Sequence, residues 1–225
     1  RFFYANRCII PYMNEMLRMI TEGVAMPLID HAALQMGFPV GPVQLNDETS
    51  IDLGAKIARA TKAAMGNAYP DNPGDDLIFW MEEQGRLGRK SKAGFFDYDE
   101  AGKRQGYWAG VTDKYPLLDD QPDLIEVQER LMFSQALEAV RALEEGVLMD
   151  IREGDVGAIL GWGFAPWSGG PLSWLDIIGT PYAAERCDAL TEAFGPRFTC
   201  PPLLREMAAK GQSFYGRFGP KAAAA

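Results

Sequence analysis

His31 is the single histidine of the chain, and a lone imidazole does general-base work only when a carboxylate orients it. Its neighbour Asp30 does not qualify, because adjacent side chains on a helix do not face each other. His31 therefore reads as a surface or interface residue. Three cysteines, Cys8, Cys187 and Cys200, are too few and too scattered for a disulfide framework. With one histidine they offer no metal-ligand spacing, so no metal is expected. A reducing, cytoplasmic setting fits them. None of the 24 glycines builds a strand-to-helix dinucleotide fingerprint. Gly157, Gly161 and Gly163 make a Gly-x-x-x-Gly-x-Gly series that follows a helix and reads as a tight helix–helix turn. The segment 161–171, Gly-Trp-Gly-Phe-Ala-Pro-Trp-Ser-Gly-Gly-Pro, is the most constrained local sequence. It reads as a stiff loop packed under or between helices, with a ligand platform as the less favoured reading. The basic cluster Arg86, Arg89, Lys90 and Lys92 could meet a phosphate-bearing ligand, but such clusters are more often solvated helix ends. No complete catalytic set emerges. The chain reads as the partner half of an active site.

Helices must carry these residues. Ile9, Met13, Met16, Leu17 and Ile20 repeat at helical spacing, and Glu22-Gly23 supplies a stop. A shorter helix runs from Pro27 to Met36, with proline in its first turn. Gly37-Phe38-Pro39-Val40-Gly41-Pro42 then makes a rigid turn. Further helices are expected over Asp52–Met65 and Leu77–Gln84. From Asp99 to Asp123 the chain is rich in Gly, Asp and Pro, and its rings (Tyr107, Trp108, Tyr115) show no period. That stretch reads as a connector packing along a surface through those rings. Phe133, Leu137, Val140 and Leu143 restart a helix that stops at Glu145-Gly146. Strand alternation shows only in the short patch Gly94-Phe95-Phe96-Asp97-Tyr98.

The second half echoes the first. Arg7, Glu15, Arg18 and Glu22-Gly23 return 123 residues later as Arg130, Glu138, Arg141 and Glu145-Gly146. Gly41-Pro42 and Asp47 return 129 residues later as Gly170-Pro171 and Asp176. Phe38 and Pro39 have counterparts in Phe164 and Pro166. The period is too long and the copies too few for a solenoid, so the expected architecture is all-α, two tandem helical repeats joined by a connector. The boundaries are 1–99 for the first repeat, 100–122 for the connector and 123–221 for the second. At 225 residues, with 47% hydrophobic and 24% charged residues, the composition is that of a folded globular chain. A net charge of -9 argues against nucleic acid or an anionic membrane surface as partner. No apolar run approaches the roughly 18 residues of a membrane span. The start at Arg1, with no initiator Met and no signal layout, reads like the middle of something longer. Ala222 to Ala225 reads as a frayed tail.

Arg1 to Tyr98 resembles the C-terminal helical domain of the 3-hydroxyacyl-CoA dehydrogenases of fatty-acid β-oxidation. The resemblance is carried by Phe3-Tyr4-Ala5-Asn6-Arg7, Tyr12, Glu15, Gly37 to Pro42, Leu45, Asp47, Ile51-Asp52, Gly88-Arg89-Lys90-Ser91 and Gly94 to Tyr98. The second copy is similar to the extra C-terminal repeat of the multifunctional β-oxidation proteins, through Glu129-Arg130, Glu145-Gly146, Gly161 to Pro171 and Ser213 to Phe218. The resemblance implies a fold of the 6-phosphogluconate dehydrogenase C-terminal-like kind, with the nucleotide-binding domain absent from this chain. It implies an NAD-binding domain and a hydratase domain elsewhere on the polypeptide, an acyl-CoA substrate and, as a further partner, a thiolase subunit. In that family the missing domain supplies a His–Glu pair, the His taking the 3-hydroxyl proton while hydride passes to the nicotinamide. The helical domain contributes an Asn that matches Asn6, whose amide would hydrogen-bond the substrate oxygen; the bland reading of Asn6 is a helix cap. Pro39, Val40, Gly41 and Pro42 match the segment bordering the acyl group. His31 does not match the catalytic histidine.

At the position of Asn6 the second copy has Glu129, a carboxylate that cannot donate the same hydrogen bond. The second repeat is therefore expected to be structural, covering the first as a partner subunit's copy does in single-repeat dehydrogenases. The expected function is the substrate-side region of an NAD-dependent L-3-hydroxyacyl-CoA dehydrogenase, inactive alone. The alternative is a non-catalytic helical assembly module packing against a hydratase domain or a partner subunit.

Overall fold

The computed structural model describes residues 3–220; the expected frayed tail, Ala222–Ala225, lies outside them. The first copy runs α1 (Tyr4–Thr21), α2 (Met26–Gln35), α3 (Pro42–Thr49), α4 (Ile51–Met65) and α5 (Pro73–Glu83). A hairpin of β1 (Phe96–Tyr98) and β2 (Arg104–Tyr107) follows, then a short α6 (Ala109–Lys114). The second copy runs α7 (Leu124–Glu144), α8 (Ile151–Trp162), α9 (Pro171–Ile178), α10 (Thr180–Phe194), α11 (Pro202–Ala209) and α12 (Phe214–Phe218). Duplication shows in the lengths: α3 and α9 have 8 residues each, α4 and α10 have 15. Gly23 and Gly146 end the leading helices at φ of 90° and 70°, a left-handed region where glycine carries no Cβ penalty.

Three local readings change. The connector is not irregular throughout, since it supplies β2 and α6. β1 and β2 pair antiparallel, Phe96 opposite Tyr107 and Tyr98 opposite Arg104. A strand of four residues is too short to show alternation in sequence. Second, the Gly-x-x-x-Gly-x-Gly series is no turn: Gly157 and Gly161 lie inside α8, and only Gly163, at φ 76°, closes it. Ile151, Gly154, Asp155 and Ala158 bury one face of α8, and that tertiary packing outweighs the poor helix propensity of glycine. Third, the rigid turn ends by starting a helix, because Pro42 opens α3.

The chain divides into two compact units. One comprises Met13–Gln35 and Val40–Val127; the other comprises Arg1–Tyr12, Met36–Pro39 and Gln128–Ala225. In the former, Met16, Leu17, Met19 and Ile20 of α1 are buried with Ile29, Val43, Ile51, Leu77, Met81, Phe95 and Phe96. Trp80 and Trp108 stack at 5.2 Å between ring centroids, so the connector does pack through its rings. Backbone contacts add to them: Leu118 donates its amide to Gly23 O at 2.9 Å. In the latter unit every residue of α7 from Arg130 to Leu137 is buried. That surrounds α7 on all sides, where the spacing alone indicates a single apolar row. Phe133 meets Trp174 edge-on at 5.0 Å, and Phe164, Leu175, Leu204 and Phe214 complete the core.

Candidate functional site

Asn6 is exposed in the first turn of α1. Tyr4 is the first helical residue, so Asn6 lies inside the helix and is not its cap. The neighbouring Arg7 is structural: its guanidinium donates to Glu138 at 3.2 Å and to Glu145 at 3.1 Å. Those hydrogen bonds, the one to Glu145 foremost, raise the Arg7 pKa further above its ordinary value. Tyr4 packs edge-on against Trp162 at 5.4 Å. The first turn of α1 is thus pinned on both flanks of Asn6, while the amide stays accessible. Glu129, its counterpart on α7, is differently placed. Arg186 donates to it through Nε at 3.0 Å, and Glu129 keeps 13% side-chain exposure. A carboxylate held by a guanidinium has no role left as a substrate donor.

Among the turn residues, Pro39 is exposed on one side and packed on the other, because a Cβ at Gly163 would come within 2.7 Å of its ring. Phe38 stacks on Tyr12 at 5.4 Å and meets Phe164 edge-on at 5.5 Å. Asn6 and Pro39 fall in one compact unit, Val40, Gly41 and Pro42 in the other. Val40 is half-buried and Gly41 and Pro42 are buried.

The corner at Gly41-Pro42 is built on Asp30. Its Oδ1 accepts the Val43 amide of α3 at 2.8 Å, and its Oδ2 accepts the Tyr107 hydroxyl at 3.0 Å. A carboxylate at a helix N-terminus satisfies amides that have no intrahelical partner and suits the positive end of the dipole. Asp30 is buried, and loss of water pushes its pKa up to about 6 despite those hydrogen bonds. A Cβ at Gly41 would stand 2.2 Å from Asp30 Oδ1, so no larger residue fits. The second copy repeats the device. Asp155 accepts the Leu172 and Ser173 amides at 2.8 and 3.0 Å, and a Cβ at Gly170 would lie 2.4 Å from Asp155. Here is the physical reason that Gly-Pro recurs.

Asp47 and Asp176 form a second matched pair. Asp47 accepts the amides of Phe95 and Phe96 at 2.8 and 3.0 Å and the Tyr98 hydroxyl at 2.9 Å. Asp176 accepts the amides of Phe214 and Tyr215 at 2.6 and 2.9 Å. The Gly94 to Tyr98 segment is therefore a clasp on α3. A Cβ at Gly94 would lie 2.2 Å from the Asp47 carboxylate. The nearby basic residues are spoken for. Arg86 donates to Gly94 O at 2.8 Å and to Asp97 at 2.6 Å, with its guanidinium 4.0 Å over the Trp108 ring. Arg89 pairs with Glu48 at 3.1 Å, Lys90 with Asp52 at 2.5 Å, and Lys92 reaches Glu100 O. Arg89 and Lys90 sit on a 3-10 turn rather than at an α-helix end, and Asp97, Glu48 and Asp52 match the charges of Arg86, Arg89 and Lys90.

His31 is exposed on α2, as expected. Burial pushes the Cys8 thiol up to about 12, which removes it as a nucleophile. The other two cysteines are not scattered in space: the buried thiols of Cys187 and Cys200 hydrogen-bond each other, raising the former. In the 161–171 segment Trp162 donates to Gln135 at 3.0 Å and Trp167 to Met36 O at 2.6 Å. Phe164 is fully buried. Both indoles are thus used in packing a stiff loop. Among the described residues no group of three or more His, Cys, Asp or Glu could hold a metal ion, and no helix is long and apolar enough to cross a membrane.

The described residues thus present a helical fold with two matched carboxylate-capped corners and an exposed asparagine in the first turn of α1. Residues 3–98 match the family model described as 3-hydroxyacyl-CoA dehydrogenase, C-terminal domain. Similar solved structures include 3-hydroxybutyryl-CoA dehydrogenase from Escherichia coli K12, at 19% identity and a TM-score of 0.69. That match covers 93% of this chain and 60% of the other. The dehydrogenase part of multifunctional enzyme 1 from C. elegans is 23% identical, with a TM-score of 0.66 over 89% of this chain and 46% of the other. These likenesses show the fold, and the chain spans about half to three-fifths of the length of the structures it matches.

The dehydrogenase family implies NAD, and the described residues do not fit it. A dinucleotide needs a parallel strand running through a glycine-rich turn into a helix N-terminus. Here the strands form an antiparallel pair. β2 runs into the six-residue α6, and the glycine there, Gly110, is covered by the Trp108 ring at 2.2 Å from a would-be Cβ.

Proposed function

We propose that this chain is the substrate-side region of an NAD-dependent L-3-hydroxyacyl-CoA dehydrogenase, part of a cytoplasmic multifunctional β-oxidation protein. Its substrate is a 3-hydroxyacyl-CoA, oxidised to the 3-ketoacyl-CoA. The nucleotide, the base and the hydratase belong to other parts of that polypeptide, with a thiolase subunit as partner of the assembly. In this reading Asn6 donates its amide N–H to the substrate oxygen at the carbon to be oxidised. An amide does this without titrating, so the contact is independent of pH. Val40, Gly41 and Pro42 supply an apolar wall for the acyl chain. The second repeat is structural.

The observation that carries this reading is the contrast between equivalent positions. Asn6 is accessible in the first turn of α1, whereas Glu129 on α7 is held by Arg186 at 3.0 Å. Of the two positions matched by the 123-residue spacing, Asn6 offers a neutral side-chain donor and Glu129 does not. In the intact dehydrogenase, Asn6→Ala should lower kcat ten-fold or more and change KM less, as for a contact strongest in the transition state. An unchanged kcat would reduce Asn6 to an ordinary surface residue.

A further inference from the structure

We propose that Asp30 and Tyr107 are positioning residues for acyl-chain binding, holding the Val40-Gly41-Pro42 corner in the shape that meets the substrate. The proposal rests on the reading of that corner as the acyl wall. All of these residues belong to one compact unit.

Asp30 divides its two oxygens between two tasks. One takes the Val43 amide at the start of α3, and the other takes the Tyr107 hydroxyl from β2. The corner lies between these anchors, and Gly41 has no Cβ because the carboxylate occupies that space. Asp30 keeps 6% exposure, so water cannot replace a lost partner. Tyr107 is fixed in turn. Its ring lies 4.2 Å from that of Phe96, whose amide is held by Asp47 at 3.0 Å. Two carboxylates, from α2 and α3, thus grip one hairpin, and the hairpin braces the corner. Sequence distance hides the link, since Tyr107 is 77 residues from Asp30.

The second copy supplies an internal control. Asp155 caps α9 in the same way, and its hydroxyl partners are Ser173 at 2.6 Å and Tyr215. That corner carries no wall residue. Loss of either cap should cost stability, but only loss at Asp30 or Tyr107 should alter substrate affinity.

The test is steady-state kinetics of the intact dehydrogenase on 3-hydroxybutyryl-CoA and on a long-chain 3-hydroxyacyl-CoA. Tyr107→Phe and Asp30→Asn should raise KM for the long chain roughly three- to ten-fold, the scale of one weakened hydrogen bond. Their kcat, and their KM for the four-carbon substrate, should stay within two-fold. Asp155→Asn should lower Tm and leave both KM values alone. Val40→Asp tests the wall itself and should raise the long-chain KM more than either. If Val40→Asp raises that KM while Tyr107→Phe leaves it unchanged, the positioning role is overturned and the wall stands. If Asp155→Asn raises it as much as Tyr107→Phe, general loosening explains both and the role is again overturned. If Val40→Asp has no effect, the wall falls and takes the proposal with it. Should Asp30→Asn not fold, the milder Tyr107→Phe decides alone.

Discussion

At the residue scale, carboxylates do most of the organising, and they do it through backbone amides rather than through cations. Asp30, Asp47, Asp155 and Asp176 each accept two or more hydrogen bonds, counting the hydroxyls. Burial opposes the charge. The Asp30 pKa is raised to about 6, above the ordinary value near 3.9 of an unfolded chain. Between those two values the folded state holds more protons than the unfolded state. The stabilising share of this group is therefore complete below about pH 4 and is lost as pH rises through 6. Asp47 and Asp155 are shifted in the same direction, also by burial. Asp30→Asn keeps the acceptor for Val43 and removes the titration. Urea unfolding at pH 4.5 and 7.5 should show wild type gaining on the variant by about 2 kcal/mol at the lower pH. A gap that does not change with pH would show that Asp30 titrates normally. No local pattern of residues signals this role, because a cap is recognised by the amide it meets. The duplication held a clue: Asp30 and Asp155 stand 125 residues apart, close to the spacing of the other repeats.

At the element scale, the two copies explain each other. Ser50, with φ 80°, immediately precedes α4, and Gly179, with φ 87°, immediately precedes α10. The same left-handed backbone is strained with a serine and relaxed with a glycine. Ser50→Gly should stabilise the chain by about 1 kcal/mol, net of the entropy that glycine adds to the unfolded state; calorimetry reads this as a Tm rise. No rise would mean that Ser50 makes compensating contacts. Gly41→Ala should act oppositely. Its Cβ would lie 2.2 Å from Asp30 Oδ1, so either the carboxylate leaves α3 or the corner moves, at a cost of about 2–4 kcal/mol. Helix periods for α1, α2, α4, α5 and α7 were legible because apolar spacing is a local property. α3, β2 and α6 were not, since each is eight residues or fewer and is held by partners far along the chain. The inner glycines of α8 misled for the same reason: packing decided against propensity.

At the scale of the whole molecule, ancestry and packing follow different lines. The residue pattern sets the repeat boundary near 123, yet the compact unit that holds Gln128–Ala225 also includes Arg1–Tyr12 and Met36–Pro39. Phe38 meets Phe164 at 5.5 Å, Tyr4 meets Trp162 at 5.4 Å, and Arg7 pairs with Glu138 at 3.2 Å within it. Residues 123–221 expressed alone should therefore lose those partners and expose Phe164 and Trp162. Near-UV circular dichroism should show weak tertiary signal and a Tm well below that of the full chain. A sharp transition at the same temperature would mean that the second repeat is self-sufficient. The 225-residue chain itself should show no turnover with acetoacetyl-CoA and NADH, since its described residues build no dinucleotide cradle. Robust activity would defeat the proposed division of labour.

Residue order alone was enough to indicate a helical chain whose second half echoes the first, because periodicity and repeat spacing need no knowledge of distant contacts; Asn6 was singled out by the resemblance to the dehydrogenase C-terminal domain. Folding decided which copy keeps an accessible donor, where the basic cluster finds its counter-charges, and which aspartates cap which helices. Those outcomes depend on distances of about 3 Å between groups tens of residues apart, and only packing brings such groups together.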